Sequence, residues 1–594
     1  MKRKLLMPFA LSLLLVAGCA SQENGPALEY KDIPIYVCSA GGADAQGVID
    51  LTKQAKQTVR LAFLPSEPFL PYIRLSDGFR IFLNDMDKYL QKETSTADAY
   101  SITLANGENR YSFSFNSKDK EIAISGDIAS LSESFTADVS SNAIDAKFDE
   151  AVIQGDAKKP YALSYKNTAF QTHSKDDSLF VPLSLASSIL KRQVGYGLFF
   201  DYQSVFAYND SLFVPKARFN DGTGTPLTLA QRMAKTIEKN ELKQMPLSIR
   251  QNNRDALTFI LENYYGLRYS LGIKSMYDYL ASTSYYENLM ADDPLTRANA
   301  LQQLLHRFQD GHTVLVSSAQ AWGEKASQDI PQSLREERFG IEEALKNTKS
   351  RIYQSEGLKT TDVRYSKDGK TAVVPLLKFE AHESALDPKT KKPAATEAEI
   401  LAADTYFQTK KALTEVKNKG GVERVIIDMS INEGGDSNTM AKLLALISKD
   451  NKGTLYFHDM LTEAVKSVNA RLDMNQDGVV DEKDKTFGKD FTFYLLTSPC
   501  AFSCGTAYPF LAQHSGFAKI IGINPGGGEC ALNTDTLPNG QSFAHSSMTR
   551  ICYPTKNGLV YDEAGVNIDT DFRYDQFYDL ENMVKELSED EKDE

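Results

Sequence analysis

The sequence predicts a multidomain chain with a β-rich N-terminal domain, a helical segment and an α/β core toward the C-terminus. Three observations carry that prediction. The chain has 594 residues, and a single hydrophobic core stops growing at about 250–300 residues. Short alternating or proline-bounded apolar runs dominate as far as Ala217, and apolar residues at helical spacing follow. From Arg364 onward, strand, turn and helix patterns alternate in the manner of α/β folds.

The N-terminus reads as a targeting signal. Lys2, Arg3 and Lys4 precede an apolar run from Leu5 to Val16, and Ala17-Gly18-Cys19 follows. A basic region, a short apolar region and small residues describe a secretory signal. The run is too short for a membrane-spanning helix, which needs about 20 apolar residues. A cysteine directly after Ala-Gly resembles a bacterial lipobox, which implies cleavage before Cys19 and lipid on that residue. The expected layout is a signal peptide over 1–18 and a tether over 19–28. The mature chain would be lipid-anchored to the bacterial cell envelope, at the outer membrane, facing the periplasm or the surface.

Composition excludes some partners. A net charge of −13 and the lack of a basic stripe argue against nucleic acid. Part of the charge sits in Ser588–Glu594, so 579–594 is expected to be a solvated acidic tail. Five cysteines follow Cys19: Cys38, Cys500, Cys504, Cys530 and Cys552. Export permits one or two disulfides, but spacing does not give their pairing, and buried free thiols are the alternative.

Residues 29–220 are expected to form the β-rich accessory domain. Tyr111–Phe115 alternates apolar and polar residues after a hairpin-turn signal at Asn106-Gly107. Leu179–Leu183 and Leu212–Pro215 read as related short strands. This domain has no catalytic cluster, and substrate or partner binding is its expected role. Asp221–Thr225 is a linker. The helical domain, 225–320, opens at Thr225-Pro226, read as a cap and first-turn proline. Leu229, Met233, Ala234 and Ile237 keep helical spacing, as do residues within Asn253–Tyr265 and Pro294–Arg307. The last of these helices runs into Asp310-Gly311-His312-Thr313.

The core is expected over 321–578. It comprises a hairpin at Arg364–Val374, a long helix at Thr396–Lys417 and a strand at Val422–Asp428. A helix at Ser437–Ile447 and strands at Phe491–Leu496 and Ala518–Ile523 complete it. Three segments of the chain together hold the chemistry of acyl transfer: His312 as a base, Gly434-Gly435 after a strand as an oxyanion site, and Ser503 between a strand and a helix as a nucleophile. A serine at such a junction is also a common helix cap.

The order and content of these segments resemble the tail-specific, C-terminal-processing serine peptidases and the tricorn protease core. Asp428–Gly435 is similar to the family's Asp-Leu-Arg-x-Asn-x-Gly-Gly segment, with Ser430 where arginine is usual. Thr497–Ala512 is similar to the nucleophile segment, and Leu537–Gly540 to the hairpin after the next strand. Asp562–Asp569 is similar to the closing Glu-x-x-Gly-Val-x-Pro-Asp element. The likeness spans about 300–575. It implies an α/β crotonase/ClpP-like spiral core and a serine peptidase acting on peptides or proteins. It also implies Ser503 as nucleophile, with the Cys504 amide and a Gly434 or Gly435 amide as oxyanion donors. Processing peptidases of the family use a lysine, but Pro525–Glu529 has none at that place. The tricorn-like branch uses a histidine held by a serine and a glutamate. His312 matches that histidine, Gly311 stands in the serine's place, and Asp562 or Glu563 stands in the glutamate's. The rival expectation is a non-catalytic member that binds peptides or partners at the cell surface.

A separate loop has calcium-ligand spacing. Asp473, Asn475, Asp477, Val479, Asp481 and Asp484 occupy positions 1, 3, 5, 7, 9 and 12, with Gly478 at position 6. Aspartate at position 12 is shorter than the usual glutamate and resembles a dockerin-type loop. A structural Ca²⁺ ion is expected, and no organic cofactor.

Overall fold

Six strands form the sheet that organises the C-terminal part of the chain. Their order is Arg364–Tyr365, Thr371–Pro375, Arg424–Asp428, Thr492–Thr497, Lys519–Gly522 and Thr570–Asp571. The first pair is antiparallel and the remaining neighbours are parallel. Parallel strands need crossover connections, here including the helices Thr405–Lys419, Ser437–Ile447 and Cys504–His514. Val425, Ile426, Ile427 and Leu495 are all fully buried, as continuous apolar runs must be when both faces of a sheet are covered. The register places Asp428 opposite Leu496, and Thr497 opposite Gly522. The turns after these three strands therefore leave from the same, C-terminal edge, where open α/β sheets carry their sites.

The computed structural model describes residues 28–593 except 39–42, 45–46, 55, 84–85, 132–144, 210–215, 326, 332–337, 383–395 and 563–564. Cys19, the strand expected at Leu212–Pro215 and Glu563 lie outside the described residues. No described helix is long and apolar enough to cross a membrane.

A second, antiparallel sheet flanks the site. Ser542–Thr555 pairs with Val314–Ser317, Gly453–Asp459, Cys530–Thr536 and Gly558–Tyr561. Gly453–Asp459 continues to Ala464–Leu472, which pairs with Ala146–Gln154. That last strand comes from the span expected to be the accessory domain, and Val314–Ser317 comes from the helical span. The core thus takes sheet strands from both preceding spans. Pairings between such distant segments leave no trace in local sequence pattern.

Among the described residues, the N-terminal span holds sheets of seven and five strands, and a three-stranded sheet joins two of its strands to Leu227–Thr228. Ala99–Asn106 and Asn109–Asn116 form the expected hairpin around Gly107-Glu108, with Tyr111, Phe113 and Phe115 turned into the core. Among the helices, Leu229–Lys239 starts later than Thr225-Pro226 because Thr228 and Gln231 make the capping box. The stretch read as one helix from Thr396 is two, Glu397–Ala403 and Thr405–Lys419. They break at Asp404, whose carboxylate accepts from the Tyr406 and Phe407 amides.

One expectation is corrected: the segment expected as a solvated acidic tail from 579 forms the helix Leu580–Asp593, and its first two turns are anchored. Leu580, Met583 and Leu587 recur at three- and four-residue spacing and pack with Ile426 and Tyr494. Of the two readings left open for the cysteines, Cys38, Cys500, Cys504 and Cys552 take the buried free thiol, and Cys530 is likewise buried. Cys530 stands opposite Arg550, while Cys552 stands opposite Tyr561, so register offsets the two thiols on neighbouring strands.

Candidate active site

Ser503 sits in a tight turn between the Thr492–Thr497 strand and the Cys504–His514 helix. Its φ of 58° and ψ of −123° are a conformation that L-residues rarely hold. The turn is pinned on both sides: the Ser503 N–H donates to Gly527 O at 2.9 Å, and Ser503 O accepts from the Thr506 and Ala507 amides. The side chain makes no capping hydrogen bond, so the capping role does not explain it. A serine held out of the strand at the start of a helix has the geometry of a nucleophile elbow.

The glycine turn packs directly against this serine. Gly434 has a φ of +95°, and a Cβ there would lie 2.6 Å from Phe502 O and 2.8 Å from Ser503 Cβ. Only glycine lets the two turns meet. The Gly434 N–H donates to Asn432 Oδ1 at 2.8 Å, which engages one of the expected oxyanion donors. The Gly435 and Cys504 amides are the donors that remain. Cys504 is itself no nucleophile. Its thiol donates to Gly435 O at 3.2 Å, and burial pushes its pKa up to about 12.

His312 is buried against Phe502, the residue that precedes Ser503 in the chain. Its ring meets the Phe502 ring edge-on, with centroids 4.9 Å apart. Its backbone N–H donates to Asp310 Oδ1, and Thr313 Oγ1 donates to Asp310 Oδ2. Burial holds the imidazole below its usual range, against the Asp310 carboxylate and a hydrogen bond with the Cys530 backbone. The neutral ring, the form a base needs, is therefore favoured. Among the described residues, His312 Nδ1 has no hydrogen-bond partner, and no hydrogen bond joins Ser503 Oγ to His312. At Gly311 a Cβ would lie 2.5 Å from the Phe502 ring, so a side chain there requires that ring to shift. Phe502 thus fills the place where the resemblance implies a serine.

Asp562 is 1% exposed and near enough to Cys504 to raise its thiol pKa, which puts this carboxylate at the nucleophile's helix. The carboxylate acting on His312 itself is Asp310. The Pro525–Glu529 segment contains no ammonium group. Glu529 instead forms a buried ion pair with Arg550, whose guanidinium stacks on Tyr561 at 3.9 Å.

In the loop 473–484, the carboxylates close on the loop's own amides. Asp473 accepts from Asp477 and Gly478, while Asp484 accepts from Met474, Asn475 and Asp481. Asp477 accepts from the Val479 amide. Among the described residues, no group of three or more His, Cys, Asp or Glu is gathered to hold a metal ion. The loop is thus braced by hydrogen bonds from its own amides to these carboxylates.

A cavity of about 110 Å³ opens beside the turn, lined by Leu267, Phe308, Gly311, Arg338, Phe502 and Gly527. It is large enough for one medium side chain of a peptide. Reading the sequence missed three residues of this region: Phe502, Asp310 and Asn432. Asn432 is fully buried and clamps both turns. Its Nδ2 donates to Leu376 O, and its carbonyl accepts from the Phe502 N–H. Its place in the Asp428–Gly435 motif was the available signal.

Residues 372–571 match the model of Peptidase family S41. No curated protein matches the sequence. Among solved structures, the chain is similar to a proposed peptidase from Parabacteroides merdae at 15% identity. That match covers 54% of this chain and 89% of the other, with a TM-score of 0.36. It is also similar to a lipoprotein from Streptococcus agalactiae at 13% identity, over 59% and 99% of the two chains, with a TM-score of 0.33. The photosystem II D1 C-terminal processing protease matches at 15% identity over 34% and 42%, with a TM-score of 0.24.

Proposed function

We propose that this chain is an exported, lipid-anchored serine peptidase of the tail-specific/tricorn type, with a crotonase/ClpP-like spiral core. The observation that carries the reading is Ser503. It has a rare backbone conformation, lies against Gly434, and has the Gly435 and Cys504 amides nearby as oxyanion donors. In this reading Ser503 Oγ attacks a peptide carbonyl while His312 takes its proton. The two amides stabilise the oxyanion, the amine leaves with the proton from His312, and water then hydrolyses the acyl-enzyme. Asp310 supports the imidazole, and Asp562 is a second carboxylate near the nucleophile.

Anchoring through lipid on Cys19 and location in the cell envelope rest on the N-terminal signal alone. Structural Ca²⁺ at 473–484 rests on residue spacing alone.

A fluorophosphonate probe tests the central claim. Labelling of the wild type at Ser503, absent in Ser503→Ala, is the expected result. One observation favours the rival reading of a peptide-binding, non-catalytic protein: Ser503 and His312 share no hydrogen bond, and Phe502 packs beside the histidine. Wild type left unlabelled across pH, with peptide binding retained, would establish that rival.

A further inference from the structure

We propose that Lys349 is a positioning residue for the Ser503 site, supplying the buried cation that holds the Asp428 end of the oxyanion turn. The proposal rests on the peptidase reading above. Lys349 projects from the Phe339–Ser355 helix, and its Nζ stands 2.8 Å from Asp428 Oδ2. The two side chains are 1% and 0% exposed. The ammonium also lies over the rings of Tyr353 and Tyr578, at 5.6 and 5.9 Å. The Lys349–Asp428 contact does not follow a hydrogen-bond direction, so it is electrostatic, and burial strengthens it. Lysine is almost never fully buried without such a partner.

From Asp428, hydrogen bonds lead to the nucleophile loop. Asp428 Oδ1 accepts from the Ser430 amide at 3.1 Å and from Ser430 Oγ at 2.6 Å. Ser430 Oγ also meets Tyr578 Oη at 2.7 Å. Ser498 Oγ donates to Ser430 O and accepts from the Cys500 amide. Asn432 O then accepts from the Phe502 N–H at 2.9 Å. Asp428, Ser430, Asn432 and Ser498 are all fully buried. The chain's far end is the loop that presents Ser503. Ser430 carries no charge, and the cation beside Asp428 comes from the Phe339–Ser355 helix.

The experiment compares Lys349→Ala, Lys349→Ala with Ser430→Arg, and the uncharged pair Lys349→Met with Asp428→Leu. Two readouts are taken: amide exchange over 428–436 and 498–504, and fluorophosphonate labelling kinetics at Ser503. In Lys349→Ala, exchange in those segments should rise at least tenfold, with the rest of the core unchanged. The maximal labelling rate should fall at least tenfold at an unchanged half-saturating probe concentration. Adding Ser430→Arg should bring both to within about threefold of wild type, because a second cation reaches Asp428. The uncharged pair buries no lone charge, so it should fold and still label slowly.

Unchanged exchange in a folded Lys349→Ala would overturn the proposal. So would failure of Ser430→Arg to restore it, or wild-type labelling by the uncharged pair. If Lys349→Ala does not fold, the uncharged pair decides by both readouts. Wild type that never labels at Ser503 would refute the peptidase reading alone, and amide exchange would still decide the role of Lys349.

Discussion

The His312 ring stands edge-on against the ring of Phe502, with centroids 4.9 Å apart, and Phe502 immediately precedes Ser503 in the chain. The same phenylalanine ring would have to shift to admit a side chain at Gly311. One aromatic residue therefore touches both His312 and the position beside it. This packing explains how Gly311 occupies a position where the resemblance implies serine.

Gly311→Ser should accordingly damage the site. Its Cβ would lie 2.5 Å from the Phe502 ring, and overpacking of this kind costs about 1–3 kcal/mol. Thermal unfolding should shift downward and labelling at Ser503 should slow. Adding Phe502→Leu should recover the lost stability by making room. A Gly311→Ser variant as stable as wild type would show that the phenylalanine yields freely.

Ser503 carries a conformational cost. At φ 58° and ψ −123°, a non-glycine residue is strained by about 1–3 kcal/mol. Ser503→Gly should therefore unfold at a higher temperature than Ser503→Ala, and neither should be labelled. Denaturant melts of the three proteins check the ranking.

The pH response follows from His312. Burial lowers its pKa in the folded chain, whereas the unfolded ring titrates near about 6.5. Below about pH 6.5 the unfolded chain therefore binds more protons than the folded one. The stabilisation is complete above that pH and is lost as pH falls through the folded value. The acid limb of Ser503 labelling should have its midpoint below about pH 6.5. A midpoint above neutrality would exclude this ring, in this environment, as the base.

Thiol chemistry offers an independent check on the fold. Burial pushes Cys38, Cys504 and Cys552 up to about 12, so these groups stay as thiols at neutral pH. Native protein should be nearly inert to iodoacetamide at these three residues. Reductant should not change its unfolding temperature. Denaturation should expose all of the cysteines to alkylation.

The loop 473–484 yields two separable outcomes. Asp484 accepts three backbone amides, and hydrogen bonds to a charged group contribute about 1.5–3 kcal/mol each. Asp484→Ala should therefore destabilise the protein even in chelator. Wild type should gain unfolding temperature on addition of Ca²⁺, by the mass action of a ligand that binds only the folded state. No gain at millimolar Ca²⁺ would leave these internal hydrogen bonds as the loop's whole role.

Local sequence determined much of this protein by itself. The Arg424–Asp428 strand, the glycine turn, the Ser437–Ile447 helix and the junction at Ser503 were all legible. Each depends on backbone propensities and hydrogen bonds within a few residues. Tertiary structure decided what those elements meet. It placed Phe502 against Gly311, brought Lys349 to Asp428, and packed Leu580, Met583 and Leu587 with Ile426. It also drew Ala146–Gln154 into the core sheet, across more than 300 residues of chain. These outcomes rest on packing and charge pairing between distant residues, which no local pattern encodes.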